Sequence, residues 1–398
     1  MDASQGSPKI GLIVDQLTGT GGLDFSAARH SDVLKGSASV VPIAFPLSPR
    51  ESDWIGRVKR IDPAGGSAGA PAYEIWTSDF QIDRVLASFG AGNMDVSQRS
   101  ALDCLVRVAR AEKLDALHVF GAFRNRPLLA AMASIECGIP LILSFRGADI
   151  DLRIFGNGLS GLQAAVGVAS VCVCVNQGAV RIVEKLFQPP CPVHVIHNHL
   201  VPEEFDEPCG SLPELPRPII GIAAEFRRIT GLDFLLDAFA EWASSHAGSL
   251  LLIGEFRSDE AHHYSRKIDT MSCSGRIFRI GLVRHREVLC YMRHCDLLVF
   301  PSLTDGCPNK VLEAMLSARP LIASRAGGIP ELIDDGVEGV LVDPRDGNLH
   351  KAIERVLQDP QASLAMAQRA RERALSQFTY ERARQSWLQA YREAGVCI

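Results

Sequence analysis

Several features are missing from this 398-residue chain, and each absence removes a class of function. It has no positive excess: the formal charge is −5, which gives no electrostatic footprint for nucleic acid. It has eleven cysteines, an odd number, and no Cys-x-x-Cys pair. Neither a disulfide framework nor a zinc spacing emerges, which fits a reducing cytoplasm. His197-Asn198-His199 and His262-His263 have no further ligands spaced nearby, so no metal is expected at either. The start, MDASQGSPKIGLIVDQL, has no basic region and no cleavable apolar core, so no signal peptide is expected. The long uncharged apolar run, Leu159 to Val175, carries Ser, Gln and Gly and is short for a bilayer span. It reads instead as a buried helix over Gly161–Ala169 and a buried strand over Ser170–Val175, with Cys172 and Cys174 on one face. The expectation is a soluble cytoplasmic protein, with peripheral contact on the inner face of the membrane left open.

What is present is an alternation of strand-like apolar runs and helical stretches, the pattern of parallel α/β sheets. Lys9–Val14 leads into a glycine loop, Gly19-Thr20-Gly21-Gly22, and then a helix. Asp115–Phe120 precedes a helix from about Arg126 to Cys137, Leu141–Phe145 follows, and Val193–Ile196 closes the first half. Asp62–Ala72 reads as a flexible surface loop, and residues 50–100 carry little functional signal. The Pro- and Glu-rich segment Pro202–Pro218 reads as a linker, after which the pattern restarts. Helical stretches at Gly347–Gln358, Gln361–Ser376 and Tyr380–Ala394 finish the chain. Two doubly wound domains are expected, with ligands at the carboxyl ends of their strands.

The most informative stretch is Pro301 to Asp346. Asp305 and Glu313 have seven residues between them, and the strand Leu297–Phe300 feeds a Gly306-Cys307-Pro308 turn that opens a helix. Pro308 suits the first helical position, where its missing N–H costs nothing. The amides of Asn309, Lys310 and Val311 would then face outward as a phosphate site. Glu313, one turn inside, reaches a hydroxyl of whatever carries that phosphate. A nucleotide diphosphate gripped at a helix start is the ligand this arrangement suggests.

These residues resemble the donor site of retaining glycosyltransferases of the GT-B fold, the family 4 type (glycosyl transferases group 1). The likeness includes Ala314-Met315 and Gly327-Gly328-Ile329-Pro330-Glu331, with weaker matches at Gly21-Gly22, His118, Phe145–Asp149, Asn198 and Phe226–Gly231. It implies two Rossmann-like domains facing across a cleft. The first would span 1–200 with a helix returning over 380–398, the linker 201–217, and the nucleotide-sugar domain 218–379. Glu313 would then hold the nucleotide ribose and Asp305 the sugar hydroxyls, and His118 would meet the donor sugar or a reacting hydroxyl. Gly21 and Gly22 would let backbone amides approach the pyrophosphate, since no Cβ stands in the way.

The chain also departs from that family. Its paired diphosphate cations fall at Glu225 and Thr230 here, and Arg227 and Arg228 lie between them on the same loop as candidate replacements. The family's His-x-His ends in Phe120, and its loop histidine is Arg146. Arg124, Arg126, Arg146 and Asp149 form the expected acceptor side, cationic and suited to an anionic acceptor. The resemblance implies transfer from a UDP- or GDP-sugar to a glycan or lipid-linked acceptor in polysaccharide biosynthesis, with retention and without metal or cofactor. The alternatives are a binding or scaffold subunit that has lost catalysis and a sugar-nucleotide 2-epimerase.

Overall fold

The computed structural model describes residues 7–14, 22–45, 58–61, 71–75, 96–122, 126–151, 159–202, 208 and 214–398. The chain forms two compact units, Met1–His197 with Ala383–Ile398, and Asn198–Arg382.

The first unit is built on an eight-stranded sheet. Its strands are β1 (Lys9–Val14), β2 (Ser39–Ala44), β3 (Val58–Ile61), β4 (Ala72–Ile75), β5 (Ala116–Phe120), β6 (Leu141–Phe145), β7 (Val171–Cys174) and β8 (Val193–Val195). They lie in the order β3-β4-β2-β1-β5-β6-β7-β8, parallel except for the antiparallel β3–β4 pair at one edge. Every residue of β5, β6 and β7 is buried, as expected of parallel strands covered on both faces. Leu159–Val168 is a helix and Val171–Cys174 a strand, so the apolar run folds into the unit instead of spanning anything. Among the described residues no helix is long and apolar enough to cross a membrane.

The second unit holds a fully parallel six-stranded sheet. Its strands are β9 (Ile219–Ala223), β10 (Ser249–Ile253), β11 (Ile277–Gly281), β12 (Leu297–Phe300), β13 (Leu321–Ser324) and β14 (Val340–Val342), ordered β11-β10-β9-β12-β13-β14. From β9 the chain winds outward to β10 and β11, then returns to place β12 on the other side. The reversal leaves a crevice at the carboxyl ends of β9 and β12, the usual ligand position in such sheets. The first sheet reverses in the same way between β1 and β5, but the glycine loop after β1, including Gly21, lies outside the described residues. Gly22 is the first residue of the helix Gly22–Leu34.

The final helix, Tyr380–Glu393, belongs to the first unit from Ala383 onward. Arg384 donates to the Val33 carbonyl and, at 2.7 Å, to Ser37 Oγ. Glu393 meets His194 at 2.6 Å, and the Trp387 ring lies 4.3 Å from His30. Residues 50–100, which carry little functional signal in the sequence, include β3, β4 and the start of the helix Val96–Glu112. Cys290 is disulfide-bonded, a correction to the expectation of reduced thiols throughout; the other described cysteines form no disulfide.

Candidate functional site

The site in the second unit is made by two loops at the β9–β12 reversal. After β12 the chain runs through Pro301–Pro308 into the helix Asn309–Leu316. Pro308 is the N-cap in extended conformation (φ −70°, ψ 118°), one position earlier than its sequence suggests. Its carbonyl accepts from Val311 at 3.1 Å and Leu312 at 3.3 Å, so the Val311 amide closes the first turn and does not face outward. The amides of Asn309 and Lys310 have no backbone acceptor among the described residues. Asn309 Oδ1 is buried with no partner there either. Two amides, not three, remain for an anion at this helix start.

Both carboxylates sit beside that terminus. Asp305 Oδ2 lies 3.2 Å from Lys310 Nζ, a half-buried pair. Glu313 is only 5 % exposed, and its Oε1 faces His285 Nε2 at 3.8 Å. His285 opens the helix His285–His294 after β11. Sequence reading missed it, because a contact across 28 positions leaves no local spacing signal.

Backbone contacts hold the Asp305 loop from several sides. Gly328 N–H donates to the Asp305 carbonyl at 2.9 Å, and Gly327 stands against that carbonyl at φ +54°. A Cβ at Gly327 would overlap the Asp305 carbonyl oxygen, which explains the glycine at that position physically. Asn198 Nδ2 donates to the Cys307 carbonyl at 2.7 Å. Leu303 N–H donates to the Ile229 carbonyl at 2.9 Å, joining the second loop to the first.

That second loop follows β9. Gly231 turns it at φ +72°, with its Cα pressed against the Pro301 carbonyl, where any side chain would overlap. Thr230 is buried; its hydroxyl donates to the Arg227 carbonyl at 2.7 Å and accepts from Arg227 N–H at 3.3 Å. A side chain closed on its own turn is not replacing a phosphate-binding lysine. Arg228 N–H donates to Glu260 Oε2 at 2.6 Å, and the Arg228 side chain is exposed. Arg227 Nε lies 3.9 Å from Glu225 Oε2, so the acidic departure partly occupies one of the two candidate cations.

In the first unit, two expectations need correcting. His118 is wholly buried, with Nδ1 2.6 Å from the Tyr391 hydroxyl and Nε2 on Ser144 Oγ. His30 Nε2 reaches the same Tyr391 hydroxyl at 2.9 Å, giving the row His30–Tyr391–His118–Ser144. With no exposure and both ring nitrogens engaged, His118 anchors the last helix and has no free edge for a substrate. Asp149 is likewise buried, and its carboxylate accepts from the backbone of Ala122, Arg146, Gly147 and Ile150 at 2.8–3.1 Å. It ties the loop after β5 to the loop after β6, which is a structural clamp and not an acceptor contact. Burial pushes its carboxyl up from the ordinary value, against the pull of those amides and the Arg146 charge.

The departures at 120 and 146 prove to be partners: the Arg146 guanidinium lies over the Phe120 ring, 4.8 Å from its centroid. Arg126, at the start of the helix Arg126–Cys137, is 3 % exposed. Arg124 lies outside the described residues.

Burial, helped by the Arg146 charge, holds the His118 imidazole down to about 3. In an unfolded chain it would titrate near 6.5, so below that pH the unfolded state binds the extra proton. Stability should therefore fall as pH drops from about 6.5 towards 3, by up to about 1.4 kcal/mol per pH unit from this group. Melting curves between pH 7 and 4 should show a shallower slope for His118→Gln than for wild type, and equal slopes would place the acid sensitivity elsewhere.

Residues 217–359 match the model of the family Glycosyl transferases group 1. The N-acetyl-alpha-D-glucosaminyl L-malate synthase of Bacillus anthracis is 25% identical over 291 residues, 70% of this chain and 74% of that protein. The Alpha-D-kanosaminyltransferase of Streptomyces kanamyceticus is 27% identical over 184 residues, 45% of this chain and 47% of its own length, so this second match spans about half of each protein. Among solved structures, a sucrose-phosphate synthase from Thermosynechococcus elongatus superposes with TM-score 0.74 at 17% identity, covering 98% of this chain and 100% of its own. Anabaena Alr3699/HepE in complex with UDP-glucose gives TM-score 0.71 at 17% identity, with coverage of 96% and 99%. The fold is that of GT-B glycosyltransferases.

Proposed function

We propose, for a chain whose residues 217–359 match the family Glycosyl transferases group 1, that it transfers a sugar from a nucleoside diphosphate donor to a hydroxyl acceptor with retention of configuration. The observation that carries this reading is the β12 loop. It sets Asp305, Lys310 and two helix-start amides at the sheet reversal where ligands bind, with Glu313 one turn further into the same helix. A neighbour of the same fold, Alr3699/HepE, was solved with UDP-glucose, which fits a donor of that kind.

In this reading Glu313 accepts from a ribose hydroxyl, Asp305 from the transferred sugar, and the amides of Asn309 and Lys310 hold the diphosphate. Arg227 and Arg228 supply the charge that Glu225 and Thr230 do not. With protein cations and amides available for the leaving group, transfer proceeds without a divalent metal. The bond from the anomeric carbon to the β-phosphate oxygen breaks as the acceptor oxygen bonds to the same face. The acceptor proton passes to the departing phosphate oxygen. Arg146, half-buried, suits an acceptor carrying a carboxylate or phosphate, as the L-malate relative's name suggests for that protein, whereas Arg126 is too buried to meet one. The anomeric configuration of the product, read by NMR with EDTA present, tests this mechanism; an inverted product, or activity restored only by a metal, would contradict it.

Alanine at both Arg227 and Arg228 should weaken nucleoside diphosphate binding by about 10- to 150-fold, the loss of about 1.5–3 kcal/mol from charge-assisted hydrogen bonds. Titration calorimetry against wild type measures it. Unchanged affinity would mean these arginines do not replace the missing cations.

A further inference from the structure

Outside the proposed donor site, two sulfurs have been brought together on the edge of the first sheet. Cys172 lies in the middle of β7, wholly buried, and Cys191 lies two residues before β8. Their Sγ atoms are 3.8 Å apart, with the Cys191 thiol donating to the Cys172 sulfur. The backbone fixes this approach: Cys172 pairs in register with Val193, and its N–H donates to the Pro192 carbonyl at 2.9 Å. Cys191 and Val193 are two positions apart, so both side chains fall on the Cys172 face of the pair. Cys172 shares that face with Cys174, but the described contacts join it to Cys191.

We propose that Cys172 and Cys191 form a redox-active dithiol that a hydroperoxide closes to an intrachain disulfide. Cys191 is the half-exposed member and the point of entry, while Cys172 beneath it is sheltered from solvent. The difference in exposure makes Cys191 the attacking thiolate and Cys172 the resolving thiol. In the first step the Cys191 thiolate attacks one peroxide oxygen, the O–O bond breaks, and the other oxygen leaves as water after protonation. In the second, the Cys172 sulfur attacks the Cys191 sulfenic acid, the S–O bond breaks, and a second water leaves with the Cys172 proton. Two thiols are oxidised by two electrons and one hydroperoxide is reduced. The sulfurs must close from 3.8 Å to about 2.05 Å, which needs movement of the Cys191 segment rather than of the central strand. The product would link β7 to the sheet's outermost strand, β8.

The test uses the folded full-length chain, a molar excess of hydrogen peroxide, alkylation under denaturing conditions and peptide mass spectrometry. Both thiols should be lost together as one Cys172–Cys191 linked peptide that dithiothreitol reverses, before the exposed Cys397 is consumed. In Cys172→Ser the reaction should stop at a Cys191 sulfenic acid, trapped by dimedone. Oxidation of Cys397 with Cys172 and Cys191 still alkylatable would overturn the proposal. So would sulfinic acid at Cys191 beside a free Cys172 in wild type, or linkage of Cys172 to Cys174.

Discussion

Replacing Glu313 by Gln is expected to weaken nucleoside diphosphate binding by about 10- to 150-fold and to lower turnover, with the melting temperature nearly unchanged. The size follows from a hydrogen bond to a charged acceptor, about 1.5–3 kcal/mol. The shape is kept, since Gln is nearly isosteric and the helix Asn309–Leu316 offers its side chain the same buried slot. What is lost is the charge proposed to meet the ribose and the partner of His285. Titration with the bare diphosphate beside thermal unfolding separates the two roles. Intact affinity with a large fall in melting temperature would make Glu313 a structural carboxylate.

Gly327→Ala should do more damage, although it adds a single methyl group. That methyl would overlap the Asp305 carbonyl, and the position also requires a left-handed backbone. The strain alone amounts to about 1–3 kcal/mol. The remainder must be relieved by moving the Asp305 loop, which displaces the carboxylate proposed to bind the sugar; kcat/KM should fall at least about 100-fold, since a misplacement of about 1 Å can cost that much. Gly336→Ala is the matched control, at φ +75° with no atom within 4 Å of the added carbon. It carries the backbone strain without the overlap and should keep most of its activity. Equal losses in both variants would mean that the contact with Asp305 is unrelated to function.

The parts legible in the sequence were those written in local pattern. Long apolar runs marked the buried parallel strands, and the strand-turn-helix order around Asp305 marked the loop that the sheet reversal exposes. Pro308 was displaced by one position because proline suits both the N-cap and the residue after it, and only the Val311 bond decides between them. His118 and Asp149 were misread for a different reason. Tyr391 and the Ala122 amide lie 273 and 27 positions away, and no spacing signals those contacts, although Asp149 also takes amides from its neighbours Arg146, Gly147 and Ile150. The same holds for Phe120 and Arg146, two departures that make sense only as a stacked pair. Thr230 was legible as a missing cation, while its actual role in closing the Arg227 turn was not.

The central claim is that the Asp305–Glu313 loop holds a nucleoside diphosphate. Isothermal titration of the intact chain with UDP, GDP and ADP, in EDTA, tests it most directly. The account predicts saturable one-to-one binding of at least one of them, displaced by the matching nucleotide sugar and weakened in Glu313→Gln. No binding of any of the three by protein that melts cooperatively would contradict it.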